Sequence, residues 1–233
     1  MQDRWAPYGA AAGALAILLF AAGGLVIGGQ PGFDDSGAAV AAHLEEKQAR
    51  IQVACALYAA MGPLLIWFLA TVVSQTHGGP EGARRAAQIA MVLGVAFLTL
   101  FLADITTLAV GALRPENMAA APELASALRD FEWLAMGVAA PLGAAMLAAF
   151  AVLALRDGLV WPRWLGWLAA IGAPVYGLRV GTLFSTDGVF AADGLLGLQA
   201  PVAAIGLWFL AASAVLALDL RRAGVADGQS PSI

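Results

Sequence analysis

Charged side chains and the residues typical of catalysis are scarce in this sequence. Only 12% of its 233 residues are Asp, Glu, Lys or Arg, whereas 61% are hydrophobic, and there are one cysteine and two histidines. A lone cysteine excludes an internal disulfide, so the sequence does not indicate a redox compartment. The net charge of −4 and the scattered basic residues exclude a face for binding nucleic acid.

Motifs of the known membrane-embedded and nucleotide-dependent chemistries are also missing. No long apolar run contains histidine, which excludes bis-histidine haem ligation inside such a run. The single lysine, Lys47, lies between two runs, which excludes an embedded Schiff base. His43 and Glu46 have the i,i+3 spacing of two metal ligands, but no third ligand accompanies them. We therefore expect no cofactor, no metal site and no catalytic residue, and the absences favour a protein that is not an enzyme.

The sequence contains instead six apolar runs, each long enough to cross a hydrocarbon layer of about 30 Å as a helix. The runs cover approximately residues 8–29, 51–73, 87–111, 134–155, 164–184 and 198–218. Together with a mean hydropathy of +0.81 they predict an all-α polytopic membrane protein, a bundle of six transmembrane helices in one domain over residues 1–233. The first run exceeds the about 7–15 residues of a signal-peptide core, which favours a retained helix; cleavage would leave five spans. Residues 219–233 are predicted to form a flexible cytoplasmic tail.

Basic residues are divided unevenly between the two sides of the predicted membrane. One side carries Arg4, Arg84, Arg85, Arg156, Arg163, Arg221 and Arg222, and the other carries Lys47, Arg50, Arg114 and Arg129. The positive-inside rule then places both termini in the cytoplasm and the first and third loops outside. Trp161, Trp164 and Trp167 are typical of an aromatic belt at the cytoplasmic interface.

The first and third outer loops are predicted to contain short amphipathic helices that lie along the membrane surface. In the first loop, Asp35 or Ser36 can cap a helix that runs to about Arg50. In the third loop, Pro122 suits a first helical position, and apolar residues follow at helical spacing before the fourth run.

Two charged residues lie inside the apolar runs. Asp104 in the third run and Arg179 in the fifth lie about 8–10 Å from the outer ends of their helices. Because a lone charge at a helix centre costs about 2.5–3.5 kcal/mol in a bilayer, we expect the two to pair. The polar residues predicted at similar depth are Gln52, Thr106, Thr107, Glu132, Tyr176, Thr182 and Gln199. The pair either locks two helices together or belongs to a ligand or ion site, and the sequence leaves both readings open.

Three segments resemble a known group of proteins. They are residues 162–168 (PRWLGWL), residues 40–44 (VAAHL) and residues 124–133 before the fourth run. Together they resemble uncharacterised bacterial multi-pass membrane proteins, common in actinobacteria, that carry only domain-of-unknown-function labels. The resemblance covers residues from about 8 to 222 and implies a similar loop plan; the family supplies no agreed activity, so no residue roles follow from it.

We therefore expect a protein of a bacterial inner membrane, in contact with the lipid bilayer, that binds or transports a small amphiphile, lipid or ion through an outer polar pocket. The predicted binding residues are Asp104, Arg179, Tyr176, Thr107, Glu132 and Gln52, with Arg179 as a fixed cation for an anionic group. The first alternative is a non-catalytic accessory or scaffold subunit, which implies a membrane protein partner. The second is an intramembrane enzyme of unrecognised class.

Overall fold

A computed structural model of the chain describes residues 6–157 and 160–228, and no strand occurs among them. The helices are α1 (Ala6–Ile27), α2 (Gly37–Glu46), α3 (Gln48–Gln75), α4 (Glu81–Leu113), α5 (Pro115–Ala120), α6 (Pro122–Val152), α7 (Arg163–Gly177) and α8 (Ala200–Gly228). Short 3₁₀ or π segments cover Leu153–Asp157, Leu178–Leu183, Gly188–Phe190 and Leu195–Gln199. The described part of the chain is therefore an all-helical structure, as the sequence predicts.

Five helical segments in this part of the chain are long and apolar enough to cross a membrane. They are Ala6–Ile27, Gln48–Gln75, Glu81–Leu113, Pro122–Arg156 and Gly188–Asp219. These segments indicate a membrane-embedded helical bundle. The predicted run over residues 164–184 is divided in the structure, since α7 ends at Gly177 and a 3₁₀ segment continues to Leu183. Pro174 contributes no backbone N–H to α7, and Gly177 has a low helix propensity, which favours the change of helix type here.

The bundle packs tightly where small residues let helices approach. α1 lies against α3 and α8, α4 lies against α3 and α6, and α7 lies between α6 and α8. A Cβ atom at Gly9 of α1 would overlap the side chain of Thr71, and one at Gly13 would overlap Phe68. The glycines of α1 therefore serve close packing inside the bundle.

One end of the bundle contains a dense cluster of aromatic side chains. This aromatic core consists of Phe68, Phe150, Trp161, Trp208 and Phe209, all of which are buried. The rings of Phe150 and Trp208 stack with centroids 4.3 Å apart. Both indoles are satisfied, because Trp161 Nε1 donates to the carbonyl of Ala212 at 3.3 Å and Trp208 Nε1 donates to that of Leu165 at 3.2 Å. These contacts tie α3, α6 and the start of α7 to α8.

The predicted tryptophan belt is wrong at one of its three positions. Trp164 and Trp167 are exposed on α7, whereas Trp161 is only 2% exposed and belongs to the aromatic core. The sequence motif could not separate them, because Trp161 precedes α7 and its side chain turns into the bundle toward α8.

The connections differ from the prediction in two places. Residues 124–133 do not form a separate surface helix but are the first turns of α6, which continues without a break to Val152. Pro122 occupies the start of this helix, where its missing N–H costs nothing, and the next residues contain no helix breaker. α8 extends to Gly228, so residues 219–228 of the predicted tail are helical, while residues 229–233 lie outside the described residues.

The first loop contains the helix α2, and Ser36 is its N-cap. The Ser36 hydroxyl accepts a hydrogen bond from the backbone N–H of Ala39 at 3.2 Å. The Asp35 carboxylate instead accepts one from the N–H of Gly32 at 2.8 Å, within the turn before the helix. α2 ends at Glu46, and α3 begins at Gln48. The two helices are thus nearly continuous in the chain.

Candidate functional site

A cavity of about 470 Å³ opens in the half of the bundle opposite the aromatic core. Helices α1, α3, α4 and α6, the 3₁₀ segment after α7 and the start of α8 surround it. The side chains that line this polar cavity include Gln30, Asp104, Glu132, Arg179 and Asp193, together with the aromatic residues Phe20, Tyr58, Phe101 and Trp133. Its volume is within the range of small-molecule sites.

Asp104 and Arg179, predicted from the sequence to meet, lie in this one cavity. Asp104 projects from α4 and is 4% exposed, and Arg179 projects from the 3₁₀ segment and is 5% exposed. The two charges are within electrostatic range of each other. They form no ion pair within 4.0 Å, although both belong to the described residues. The predicted direct pair is therefore replaced by two separate charges on the wall of a cavity.

Both charged groups have atoms without a hydrogen-bond partner. Asp104 Oδ1 and Arg179 Nε are buried and unpaired, and so is the indole Nε1 of Trp133 on the same wall. Buried polar atoms in native proteins are almost always hydrogen-bonded, since an unpaired one costs about 1–3 kcal/mol. Three unpaired polar atoms thus belong to residues that line one cavity.

Tyr176 lies next to Arg179, on the side away from the polar cavity. The Arg179 guanidinium lies close to the Tyr176 hydroxyl, and the tyrosine ring is itself buried. A Cβ atom at Gly143 of α6 would lie 2.5 Å from Cε1 of this ring, so glycine is needed there for the ring to fit. The Phe97 ring meets the other side of Tyr176 at a centroid distance of 5.7 Å. Tyr176 therefore lies beside Arg179 at the apolar crevice and does not line the polar cavity itself.

Glu132 reaches the cavity from the first turns of α6. Its side chain is partly buried and lies near that of Gln30, which follows α1 and lines the same cavity. A small crevice of about 30 Å³ continues behind Glu132 and is lined by His43 and Thr107, among others. Burial lowers the pKa of the His43 imidazole below its ordinary value of 6.5; the charge of Lys47 adds to this lowering, and Glu46 opposes it.

Other polar residues predicted for the site do not reach the cavity. Gln52 is exposed on the outer surface of α3, because its neighbour Ile51 occupies the inward direction. Thr107 lines the small crevice, and its hydroxyl donates to the carbonyl of Ala103 in its own helix at 3.2 Å. Thr106 and Gln199 are exposed. Residues predicted at the same depth therefore differ in whether their side chains face the cavity or the outer surface of the bundle.

Thr182 is the remaining polar residue of the predicted set. It is buried, with its hydroxyl oxygen unpaired, but it packs against Gly137 of α6 and does not line the polar cavity.

Arg129 counted in the sequence only as a basic residue of the outer side, whereas the structure buries it against the loop between α1 and α2. This buried side chain donates from Nη1 to the carbonyls of Gly32 and Asp35, at 2.5 and 2.8 Å, and from Nη2 to that of Phe33 at 3.1 Å. It also pairs with Asp130 at 3.0 Å. Arg129 therefore clamps the loop between α1 and α2 onto α6. A basic residue among apolar helix positions was the available signal.

The entrance itself is acidic. A depression of about 570 Å³ adjoins the polar cavity and shares Gln30 and Asp193 with it. The carboxylates that line this acidic mouth are Asp34, Asp35, Asp187 and Asp193, and no basic residue of the described chain lines it. Arg129 binds carbonyls of the loop on one side of this mouth, but the four carboxylates still leave it with an excess of negative charge, which concentrates cations.

At its deep end the polar cavity adjoins an apolar crevice of about 70 Å³. Phe20, Phe101, Met136, Arg179 and Val202 line both spaces. The remaining walls of the apolar crevice are almost entirely hydrocarbon, from residues such as Ile17, Leu65 and Phe209. Arg179 therefore stands at the boundary between a polar and an apolar space.

No group of three His, Cys, Asp or Glu residues in the described part of the chain is arranged to hold a metal ion. Comparison with protein-family models, with curated proteins and with solved structures found no match. The resemblance to uncharacterised bacterial membrane proteins therefore stays a prediction.

Proposed function

We propose that this protein resides in a bacterial inner membrane and binds a small amphiphile in the polar cavity, as a receptor or as a step in transport. The single observation that supports this most strongly is the unpaired state of two buried charges, Asp104 and Arg179, on the wall of a space large enough for a ligand. Ionisable groups inside a membrane protein are expensive and commonly belong to functional sites.

An amphiphile fits better than a free ion because of the two kinds of space. A polar headgroup would occupy the polar cavity, and a hydrocarbon chain would enter the apolar crevice beyond Arg179. Three mutually contacting rings, those of Phe20, Tyr58 and Phe101, form an apolar wall of the polar cavity, with centroids 5.6–5.9 Å apart, and Phe20 and Phe101 also line the apolar crevice. Such a wall offers little to a small hydrated ion.

We infer that α7 completes a sixth crossing. Its 15 residues rise about 22 Å, and the six residues of the 3₁₀ segment add about 12 Å, which together exceed a hydrocarbon layer of about 30 Å. An even number of crossings places the two termini on one side, and the distribution of arginines favours the cytoplasm for that side. The acidic mouth and α2 would then lie at the outer surface, with α2 along the interface.

The test uses two neighbouring positions on α1. A Cβ atom at Gly24 would meet only the Tyr58 hydroxyl, at 3.8 Å, so Gly24→Phe places a ring into the polar cavity. Leu25 is 84% exposed, so Leu25→Phe changes only the surface toward lipid and is the matched control. Each protein is purified in a mild detergent, and the co-purified amphiphiles are extracted and compared by mass spectrometry.

We expect a small amphiphile to be enriched with the wild type and with Leu25→Phe, and to be lost from Gly24→Phe. The same extract from all three proteins would contradict the proposal. If, in addition, a stoichiometric membrane protein co-purified with all three, the accessory-subunit alternative would replace it.

A further inference from the structure

We propose that the amphiphile is cationic: a molecule with one protonated amine or quaternary ammonium head and an apolar chain. This inference rests on the proposed function and assigns the charge of the ligand that the cavity takes. It reverses the expectation from the sequence, in which Arg179 was to hold an anionic group.

The balance of charge in the polar cavity favours a cation. Its partly or fully buried ionisable side chains are Asp104, Glu132 and Arg179, two acids against one base. With both acids ionised this set carries a net charge of −1, which a single positive charge on the ligand would neutralise, whereas an anion would leave an excess of two negative charges. In a medium of low dielectric constant an uncompensated charge is costly, so the neutral combination is favoured.

An unpaired acceptor on the cavity wall also favours a cation. Asp104 Oδ1 is buried, without a hydrogen-bond partner, on the cavity wall. An ammonium head beside it would supply the missing partner. The Arg179 guanidinium already lies beside the Tyr176 hydroxyl, and its unpaired Nε, like Nε1 of Trp133, can donate to a hydroxyl or ether oxygen of the same ligand.

The aromatic wall of the polar cavity can attract a cationic head. Phe20, Tyr58 and Phe101 line the polar cavity beside Asp104, and their rings contact one another. Ring faces attract cations, by about 0.5–2 kcal/mol per contact, and sites for quaternary ammonium groups are commonly built from aromatic rings and a carboxylate. They provide no such attraction for a carboxylate or sulfate head.

The acidic mouth beside the polar cavity favours the entry of cations. Every ligand that enters from the acidic mouth passes Asp34, Asp187 and Asp193. This entrance raises the local concentration of cations and lowers that of anions.

The experiment compares three probes with the same chain length: dodecyltrimethylammonium, dodecanoate and dodecylphosphocholine. Each is titrated, at equal mole fractions in dodecyl maltoside micelles, into the wild type, Gly24→Phe and Asp104→Asn, and the unfolding temperature is recorded. The response of Gly24→Phe measures general detergent effects and is subtracted. Glu132→Gln serves as a second acid variant in case Asp104→Asn does not fold.

We expect the subtracted stabilisation of the wild type to be largest with dodecyltrimethylammonium, with an apparent affinity at least about tenfold above that for dodecanoate. Asp104→Asn should weaken the binding of the cation about tenfold, and Glu132→Gln by a smaller factor. Arg179→Gln should not weaken it.

The other outcomes separate the two proposals. If dodecanoate or dodecylphosphocholine binds as well as the cation, and Gly24→Phe blocks it, the cationic ligand is overturned and the proposed function stands. If no probe distinguishes the wild type from Gly24→Phe, both are overturned.

Discussion

The aromatic core and the polar cavity occupy opposite halves of one bundle. They differ in whether their buried tryptophans have hydrogen-bond partners. In the aromatic core the indole N–H groups of Trp161 and Trp208 donate to backbone carbonyls of neighbouring helices. In the polar cavity the indole of Trp133 is also buried, yet its N–H has no partner. Since the same residue type is satisfied in one half and unsatisfied in the other, burial alone does not explain the cavity.

This difference suggests that the aromatic core stabilises the fold and that the polar cavity serves function. The aromatic core is filled by rings in direct contact, and its interactions contribute to stability. The polar cavity leaves charged atoms unpaired, which costs stability, and natural proteins accept such a cost mainly at functional sites. The substitutions below test this division.

The largest effect should come from the aromatic core. Trp208→Ala removes the ring that stacks on Phe150 and breaks the hydrogen bond to Leu165, so we expect a loss of about 3–5 kcal/mol in the free energy of unfolding. Trp164→Ala, on the exposed face of α7, should cost less than about 1 kcal/mol. Reversible unfolding in mixed micelles measures both, and equal losses would show that the core is not the stabilising half.

The next effect concerns the clamp at the entrance. Arg129→Ala leaves the carbonyls of Gly32, Phe33 and Asp35 without their shared donor and should cost about 2–3 kcal/mol. Arg85→Ala is the control, because it breaks only the exposed pair with Glu81 and should cost less than about 0.5 kcal/mol. Hydrogen exchange of residues 29–36 should rise in Arg129→Ala alone. Unchanged exchange would refute the clamp.

A small effect on stability is expected inside the polar cavity. Asp104→Leu exchanges an unpaired buried charge for an apolar group, so the free energy of unfolding should stay within about 1 kcal/mol of the wild type or increase. Binding of the amphiphile should be lost at the same time. A loss of more than about 3 kcal/mol would mean instead that the carboxylate holds the bundle together.

The smallest effect concerns pH and the crevice behind the cavity. Because the folded protein lowers the pKa of His43, the unfolded chain binds more protons below about pH 6.5. The stability tied to His43 is therefore present above this pH and lost as the pH falls. The ring is partly exposed and screened, so the loss should be less than about 0.5 kcal/mol, measured as the difference between the wild type and His43→Asn at pH 5.5 and 7.5. If the wild type and His43→Asn showed the same pH dependence, His43 would not contribute to the pH dependence of stability.

The sequence predicted the class of the fold because length and hydropathy decide it. Runs of about 20 apolar residues have few alternatives to membrane helices. It did not predict where helices continue or change type, as at α6 and after Gly177, since these depend on tertiary packing as well as on local propensity.

The site was predictable in part. Asp104 and Arg179 stood out as charges in apolar runs, and the structure brings both to one cavity together with Glu132. Gln52 and Thr107 had the right depth but the wrong direction, because depth follows from counting residues, whereas direction depends on the rotation of each helix in the bundle. Arg129 was missed since its partners are backbone carbonyls about 95 residues away, which no local pattern indicates.

The most direct test of the polar cavity as a ligand site is an experimental density map of the wild-type protein in lipid nanodiscs. The account predicts non-protein density between Asp104 and Arg179, with an extension into the apolar crevice, and no such density in Gly24→Phe. A cavity closed by a direct ion pair of these two side chains, with no additional density, would contradict it.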